Sequence, residues 1–181
     1  MIEIRPVNWE NIETHYEWNN DPELNYFDSD FPHMKESFDS FARRLRDMSS
    51  EDNQHIILME VFHKNDDKLI GIVDIHDIDP INKRCNIECT IAEPDYRDKG
   101  YGTIAFSQAV SYSMEELGMN KVISTAFDFN DKWIRILGNL GFHQEGCLRE
   151  HALKDGRYSD KLIFGLLNSE YKESVKFQQA V

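Results

Sequence analysis

Cysteine, proline and glycine are scarce in this chain of 181 residues, at three, five and nine. The cysteines, Cys85, Cys89 and Cys147, are odd in number and lack the paired spacing of a zinc knuckle. A disulfide framework and a thiolate metal site are therefore excluded, and the thiols read as reduced and near the core. Few prolines and glycines also mean no linker, and no repeat or low-complexity tract divides the sequence, so residues 1–181 read as one domain. Positive charge is short as well, with twenty basic against thirty-three acidic side chains. The resulting net charge of −13 argues against a nucleic-acid partner. No run approaches the roughly 18 apolar residues of a membrane helix, so no membrane partner is expected. Residues 1–6 lack the basic-then-apolar signal pattern, and the expected location is the cytoplasm. The seven histidines contain no i, i+4 pair, and no metal site is legible.

What is present is a core. Hydrophobic residues make up 40% of the chain and charged residues 29%, the balance of a globular domain large enough to fold without cross-links. Residues 2–5 suggest a strand. Asn8 can cap a short helix carrying Trp9, Ile12 and Tyr16 on one face, ended by Asp21-Pro22. Residues 34–48 place Met34, Phe38, Phe41, Ala42 and Leu45 at helical spacing, a second amphipathic helix. The acidic-aromatic segment 23–32 lies between the two. Then the period changes: residues 55–62, 69–78 and 85–91 read as a three-strand antiparallel meander. A helix follows with Phe106, Ala109, Val110, Ser113 and Leu117 on one face, stopping at Gly118. Residues 121–127 form a strand, and Asn130 opens a helix with Trp133, Ile136, Leu137 and Leu140 at its stripe. Two last strands flank the turn Lys154-Asp155-Gly156-Arg157. The order β-α-α-β-β-β-α-β-α-β-β is that of an α/β fold with a mixed sheet.

The junction between the meander and the long helix reads Arg97-Asp98-Lys99-Gly100-Tyr101-Gly102. Glycines there allow unusual dihedrals and close approach of a ligand. The helix beyond offers unpaired N–H groups and the positive end of its dipole to an anion. By itself the pattern is short enough to be ordinary loop chemistry. It lacks the third glycine of a dinucleotide fingerprint and the Gly-Lys-Ser/Thr ending of a P-loop, which disfavours both.

Pro94-Asp95-Tyr96 and the glycine loop through Thr103, then Asn130, then Leu140-Gly141-Phe142-His143-Gln144-Glu145-Gly146, together resemble the GNAT acetyltransferase family. Its Arg/Gln-x-x-Gly-x-Gly/Ala marker is met by Arg97, Gly100 and Gly102. Leu148-Arg149-Glu150, Asp155-Gly156-Arg157-Tyr158-Ser159-Asp160 and Gly165-Leu166-Leu167 are similar to the branch of ribosomal-protein N-terminal and spermidine N-acetyltransferases. The resemblance implies a single-domain fold whose mixed, largely antiparallel sheet of six to seven strands carries helices on both faces. It implies acetyl-CoA as acyl donor and a primary amine as acceptor, joined in a ternary complex without a metal. The amides of Asp98, Lys99, Gly100, Tyr101, Gly102 and Thr103 would hold the pyrophosphate, Arg97 and Lys99 would add charge, Thr90, Ile91 and Ala92 would pair with pantetheine, and Asn130 would bond the cofactor arm.

Direct transfer needs a neutral amine, donors for the oxyanion and an acid for the leaving thiolate. Many relatives carry a tyrosine acid where this chain has Leu137, and a small residue where it has Trp133; both fall on the apolar stripe, as core residues would. Glu88, beside Ile87 and Cys89 next to the expected cofactor, is the first candidate base, with burial expected to raise its pKa. Tyr158 is a candidate on the acceptor side, packing at the core or an interface being its alternative. His76 and His143 have suitable chemistry but rank below these. Cys89 and Cys147 have no histidine at a nucleophile's spacing. Asp21, Glu23, Asp28, Asp30, Glu36 and Asp39 beside Tyr26, Phe27 and Phe31 suit an amine cation such as a polyamine; a protein N-terminus is the alternative acceptor, and an acyl-CoA-binding sensor the alternative function. The terminal strands are able to pair across a two-fold axis as a homodimer.

Overall fold

A computed structural model describes residues 1–50 and 53–172 of the chain. Residues 173–181, part of the single-domain expectation, lie outside the described residues. One seven-stranded sheet runs in the order β1-β2-β3-β4-β5-β7-β6. Its strands are β1 (Ile2–Pro6), β2 (Ile57–His63), β3 (Lys68–Asp79), β4 (Arg84–Ile91), β5 (Lys121–Phe127), β6 (His143–Lys154) and β7 (Arg157–Leu167). Every neighbouring pair is antiparallel except β4 and β5, as the mixed-sheet expectation required.

Alternation along β4 sorts its side chains between two helical layers. Ile87, Cys89 and Ile91 face α4 (Tyr101–Glu115), whose Ala105 and Ala109 are small enough to let the helix settle on Val61, Val73 and Ile75. Leu137 of α5 (Asp131–Asn139) completes this core, fully buried. Asn86, Glu88 and Thr90 point the other way, and Glu88 and Thr90 border a space shared with α1 (Ile12–Asn19) and α3 (Phe38–Met48). There Phe41 and Leu45 pack on Leu58 in a smaller second core.

Two helix boundaries differ from the sequence reading. Ser37 caps α3, accepting from the Ser40 N–H at 3.3 Å, so the helix begins at Phe38 and leaves Met34 exposed. Asp21-Pro22 ends one helix and also starts another: Asp21 accepts from the Glu23 N–H at 2.8 Å, and Pro22 occupies the first turn of α2 (Pro22–Asp28). The acidic-aromatic segment therefore contains a helix.

The parallel pair β4–β5 is short. Its register runs only Arg84↔Lys121, Cys85↔Val122 and Asn86↔Ile123, after which the two strands diverge. Glu88 to Ile91 and Thr125 to Phe127 become the walls of an opening in the sheet. Gly71 keeps β3 tight against the far side of that opening, since a Cβ there would collide with the Thr90 carbonyl oxygen.

Candidate active site

The opening continues into a cleft of about 550 Å³ that reaches the start of α4. Gly100 precedes that helix with φ +81°, a left-handed conformation that glycine adopts without strain, and no side chain caps the helix. The first N–H groups of α4 thus have no acceptor within the helix. An open, uncapped N-terminus facing a cleft is a site for an anion.

Of the residues expected to hold a cofactor, Thr90, Ile91, Arg97, Asp98, Gly100, Gly102, Thr103 and Asn130 line this cleft. Ala92 does not: its N–H donates to Ile70 O at 2.9 Å, so the sheet already uses the group expected to pair with pantetheine. Lys99 lies instead over the Tyr96 ring, and the Tyr101 hydroxyl hydrogen-bonds with His63 at 3.1 Å, leaving only Tyr101's main chain near the cradle. Arg97 is more committed than expected. Its Nε donates to Ile91 O at 3.1 Å, Nη2 to Ala92 O at 2.8 Å and Nη1 to Glu23 Oε1 at 2.9 Å. Asn130 accepts from the Trp133 N–H at 3.2 Å and so caps α5.

The sequence reading set Glu23, Phe27 and Asp28 on the acceptor side, without the helix α2 that carries them or its part in the donor cleft. Glu23, Leu24, Phe27 and Asp28 wall it, as do Lys132, Ile136 and Lys161. The helix bridges the cradle to the β6–β7 hairpin: Glu23 pairs with Arg97, Tyr26 Oη donates to Asp155 at 2.9 Å, and Lys154 Nζ donates to Tyr26 O at 2.8 Å. Asp-Pro-Glu was the available signal, because it is a helix start as well as a stop.

On the other face of β4 a second chamber of about 200 Å³ joins the first through Asp28, Glu88 and Thr90. Asp74 lies directly opposite Glu88 across the β3–β4 pair. Its Oδ1 is shut off from solvent and has no hydrogen-bond partner. Burial, reinforced by the neighbouring Glu88 charge, pushes the Asp74 carboxyl up to about 7. Burial likewise pushes Asp28 up to about 6, although Thr90 Oγ1 donates to it at 2.9 Å. Glu88 itself is 44% exposed and 3.8 Å from His76, whose pKa the nearby Glu88 carboxylate raises. The carboxyls with raised pKa values are thus Asp28 and Asp74; Asp74 has an oxygen shut off from solvent, whereas Asp28 as a residue stays exposed at the cleft.

The remaining candidates separate clearly. Tyr158 is 67% exposed and does not line either chamber. Trp133 does line the cleft, its ring edge-on to Phe106 at 4.8 Å, while Leu137 is core. Burial drives the Cys89 thiol far above the ordinary range, the reverse of what a nucleophile needs. Most of the acidic segment is spent on internal pairs: Glu36 with Arg44, Asp30 with Lys161, Asp21 on its cap. Phe31 is 77% exposed.

An uncapped helix beside splayed strands, with a polar chamber behind, is an arrangement found in known proteins. The acetyltransferase (GNAT) domain family matches residues 2–143. The chain belongs to the GNAT acetyltransferase family. It is an acyltransferase, with acetyl-CoA as donor, and the cradle, open β4 edge and cleft fit that donor. It is 28% identical over 141 residues to a spermidine N(1)-acetyltransferase of Vibrio cholerae, covering 78% of this chain and 79% of that one. It is 30% identical over 107 residues to the putative ribosomal N-acetyltransferase YdaF of Bacillus subtilis, 59% of this chain and 58% of that one. In fold it matches the crystal structure of spermidine N-acetyltransferase from Vibrio cholerae in complex with CoA and spermine, with TM-score 0.85 and 24% identity over 94% of this chain and 98% of that one.

The Glu23–Arg97 pair puts a carboxylate where a donor phosphate would want the guanidinium. Glu23→Gln should tighten acetyl-CoA binding about two- to fivefold by calorimetry, the range of an exposed ion pair, and the gain should shrink with added salt. Unchanged or weaker binding would show that Glu23 does not compete for Arg97.

Proposed function

We propose that this acetyltransferase modifies a polyamine-type primary amine by direct attack in a ternary complex, with Glu88 accepting the ammonium proton before attack. The orphaned Asp74 Oδ1 in the second chamber carries the proposal. A buried acceptor without a donor is costly, and an incoming ammonium would supply the missing hydrogen bonds. Asp28 and Glu88 add negative charge at the passage to the cleft, and the rings of Trp18 and Phe41 line the same chamber. Carboxylates and aromatic faces together suit an alkylammonium. The likeness to a spermidine N(1)-acetyltransferase supports the same acceptor class.

Glu88 suits the first proton transfer because it touches both chambers and its neighbour His76 leads outward to the exposed Asp77. Thr90 and Ile91 would pair with pantetheine, and the amides from Gly100 to Thr103 would hold the pyrophosphate, with Asp98, Lys99 and Asn130 around them. Tyr158, with Leu148 and Leu153, leaves an apolar surface on the outermost hairpin. It fits a homodimer contact better than a catalytic one. A cytoplasmic location goes with the same substrate.

Thiol release should be saturable with spermidine and spermine in the presence of acetyl-CoA, and absent with peptides bearing a free N-terminus. Release with peptides alone would replace the polyamine by a protein N-terminus. Acetyl-CoA heat in calorimetry without release for any amine would make the chain a sensor, in keeping with its buried Leu137.

A further inference from the structure

Amine acetylation has two proton problems. The ammonium must lose one proton before attack, and Glu88, open to water, is placed for that step. After attack the nitrogen holds a second surplus proton while the departing sulfur needs one. Leu137 has no hydroxyl to give. The Tyr96 hydroxyl at the cleft wall is engaged with Asp66 at 2.7 Å, and burial keeps the Cys89 thiol protonated.

Asp28, the last residue of α2, stands between the two problems. Its carboxylate accepts from Thr90 Oγ1, and both residues line the donor cleft and the inner chamber at once. Like Glu88, Asp28 thus borders both the nitrogen side and the sulfur side, and it does so from α2, with Thr90 bonded to it. We propose that Asp28 is the proton shuttle of the transfer, taking the proton from the newly acylated nitrogen and delivering it to the leaving sulfur, with Thr90 fixing its orientation. The inference rests on an amine acceptor in the inner chamber.

The atoms balance. The amine nitrogen forms its bond to the acetyl carbon, the carbon–sulfur bond breaks, the electron pair leaves on sulfur, and the nitrogen proton ends there through Asp28. The only proton released to solvent is the one Glu88 removed from the ammonium. A shuttle must be ionised to accept and acidic enough to give back. Desolvation of the carboxyl, reinforced by the Glu88 charge, pushes Asp28 up to about 6, between those demands at neutral pH, although the residue as a whole keeps exposed surface. The charged or titratable groups around it are Glu88 and Cys89 on β4, Asp74 on β3 and Lys154 on β6, and His15 of α1 and Arg44 of α3 line the same chamber. Lys154 is occupied by Tyr26 O and Ser29 O.

The test compares wild type with Asp28→Asn, Asp28→Glu and Thr90→Val at saturating acetyl-CoA and spermidine. Asp28→Asn should lower kcat by about 100-fold, the lower end for a positioned acid–base group, with acetyl-CoA affinity within twofold. Wild type should lose kcat below about pH 6, and Asp28→Asn should abolish that fall. Asp28→Glu should restore part of the rate together with that acid limb, and Thr90→Val should slow turnover while keeping it. The asparagine variant should fold about as stably as wild type, because the carboxyl's raised pKa makes its ionised form a small cost at an exposed position, not a support. Retention of kcat in Asp28→Asn, or loss of rate with the acid limb intact, would overturn the shuttle alone. Wild type that binds acetyl-CoA yet acetylates no amine would overturn the acceptor reading and the shuttle with it.

Discussion

Gly102→Leu is expected to cost the chain its acyl donor while leaving its fold intact. Gly102 stands in the first turn of α4 and lines the cleft; an added Cβ would meet Ile91 Cγ1 at 3.5 Å, an ordinary contact. The backbone there is helical and not in the left-handed region that Gly100 occupies, so a leucine is admissible and adds up to about 1 kcal/mol of helix preference. Its remaining carbons must go into the cleft, where the amides of α4 would meet the anion of the proposed cradle. Forcing a ligand past such a side chain costs about 1–3 kcal/mol, or roughly 5- to 140-fold in Kd at 1.4 kcal/mol per factor of ten. Calorimetry should show that loss, with a thermal midpoint no lower than wild type. Normal acetyl-CoA affinity would remove the cradle from the site. Alanine at the same position should be milder, since its methyl fills only the space beside Ile91.

The donor half was legible because it depends on local chemistry. Gly100 and Gly102 are written in sequence, the strand-to-helix handover follows from the change of period, and main-chain amides need no particular side chain. Arg97 shows the limit of that legibility. Sequence gives it a positive charge near a phosphate, and only the fold reveals that two of its nitrogens hold the carbonyls of Ile91 and Ala92 while a third meets Glu23. The acceptor half was less legible because it depends on which face is covered. Asp74 sits in an alternating strand at a polar position that solvent would suit. It is desolvated because α1, α2 and α3 close over that face. Local propensity also failed at Asp21-Pro22, where one dipeptide ends α1 and begins α2, and so Asp28 was placed in a loop.

The chain tolerates buried carboxyls in two opposite ways. Asp74 is incompletely satisfied, and its raised pKa means that stability falls as pH rises through it, the usual signature of a site kept for function. Glu60 is fully buried and fully partnered. Its carboxylate accepts from Arg5 Nε at 3.2 Å, the Asn8 N–H at 3.1 Å and Asn11 Nδ2 at 2.8 Å, and hydrogen-bonds with His15 Nε2 at 3.0 Å. Burial alone would raise its pKa; these bonds outweigh burial and hold it below the ordinary carboxylate range. A depressed pKa means that the stabilisation is complete above the unfolded value of about 4.3 and is lost as pH falls through the lower folded one. Glu60→Ala strands the buried donors and should cost about 3–5 kcal/mol at pH 7, as breaking a buried charge network does. Urea unfolding should show that loss as a lower midpoint, and the difference from wild type should narrow toward pH 3. Because His15 and Trp18 line the inner chamber, the variant should also raise KM for the amine while acetyl-CoA affinity holds. An equal loss at pH 3 and pH 7 would mean that the Glu60 charge has no part in the effect.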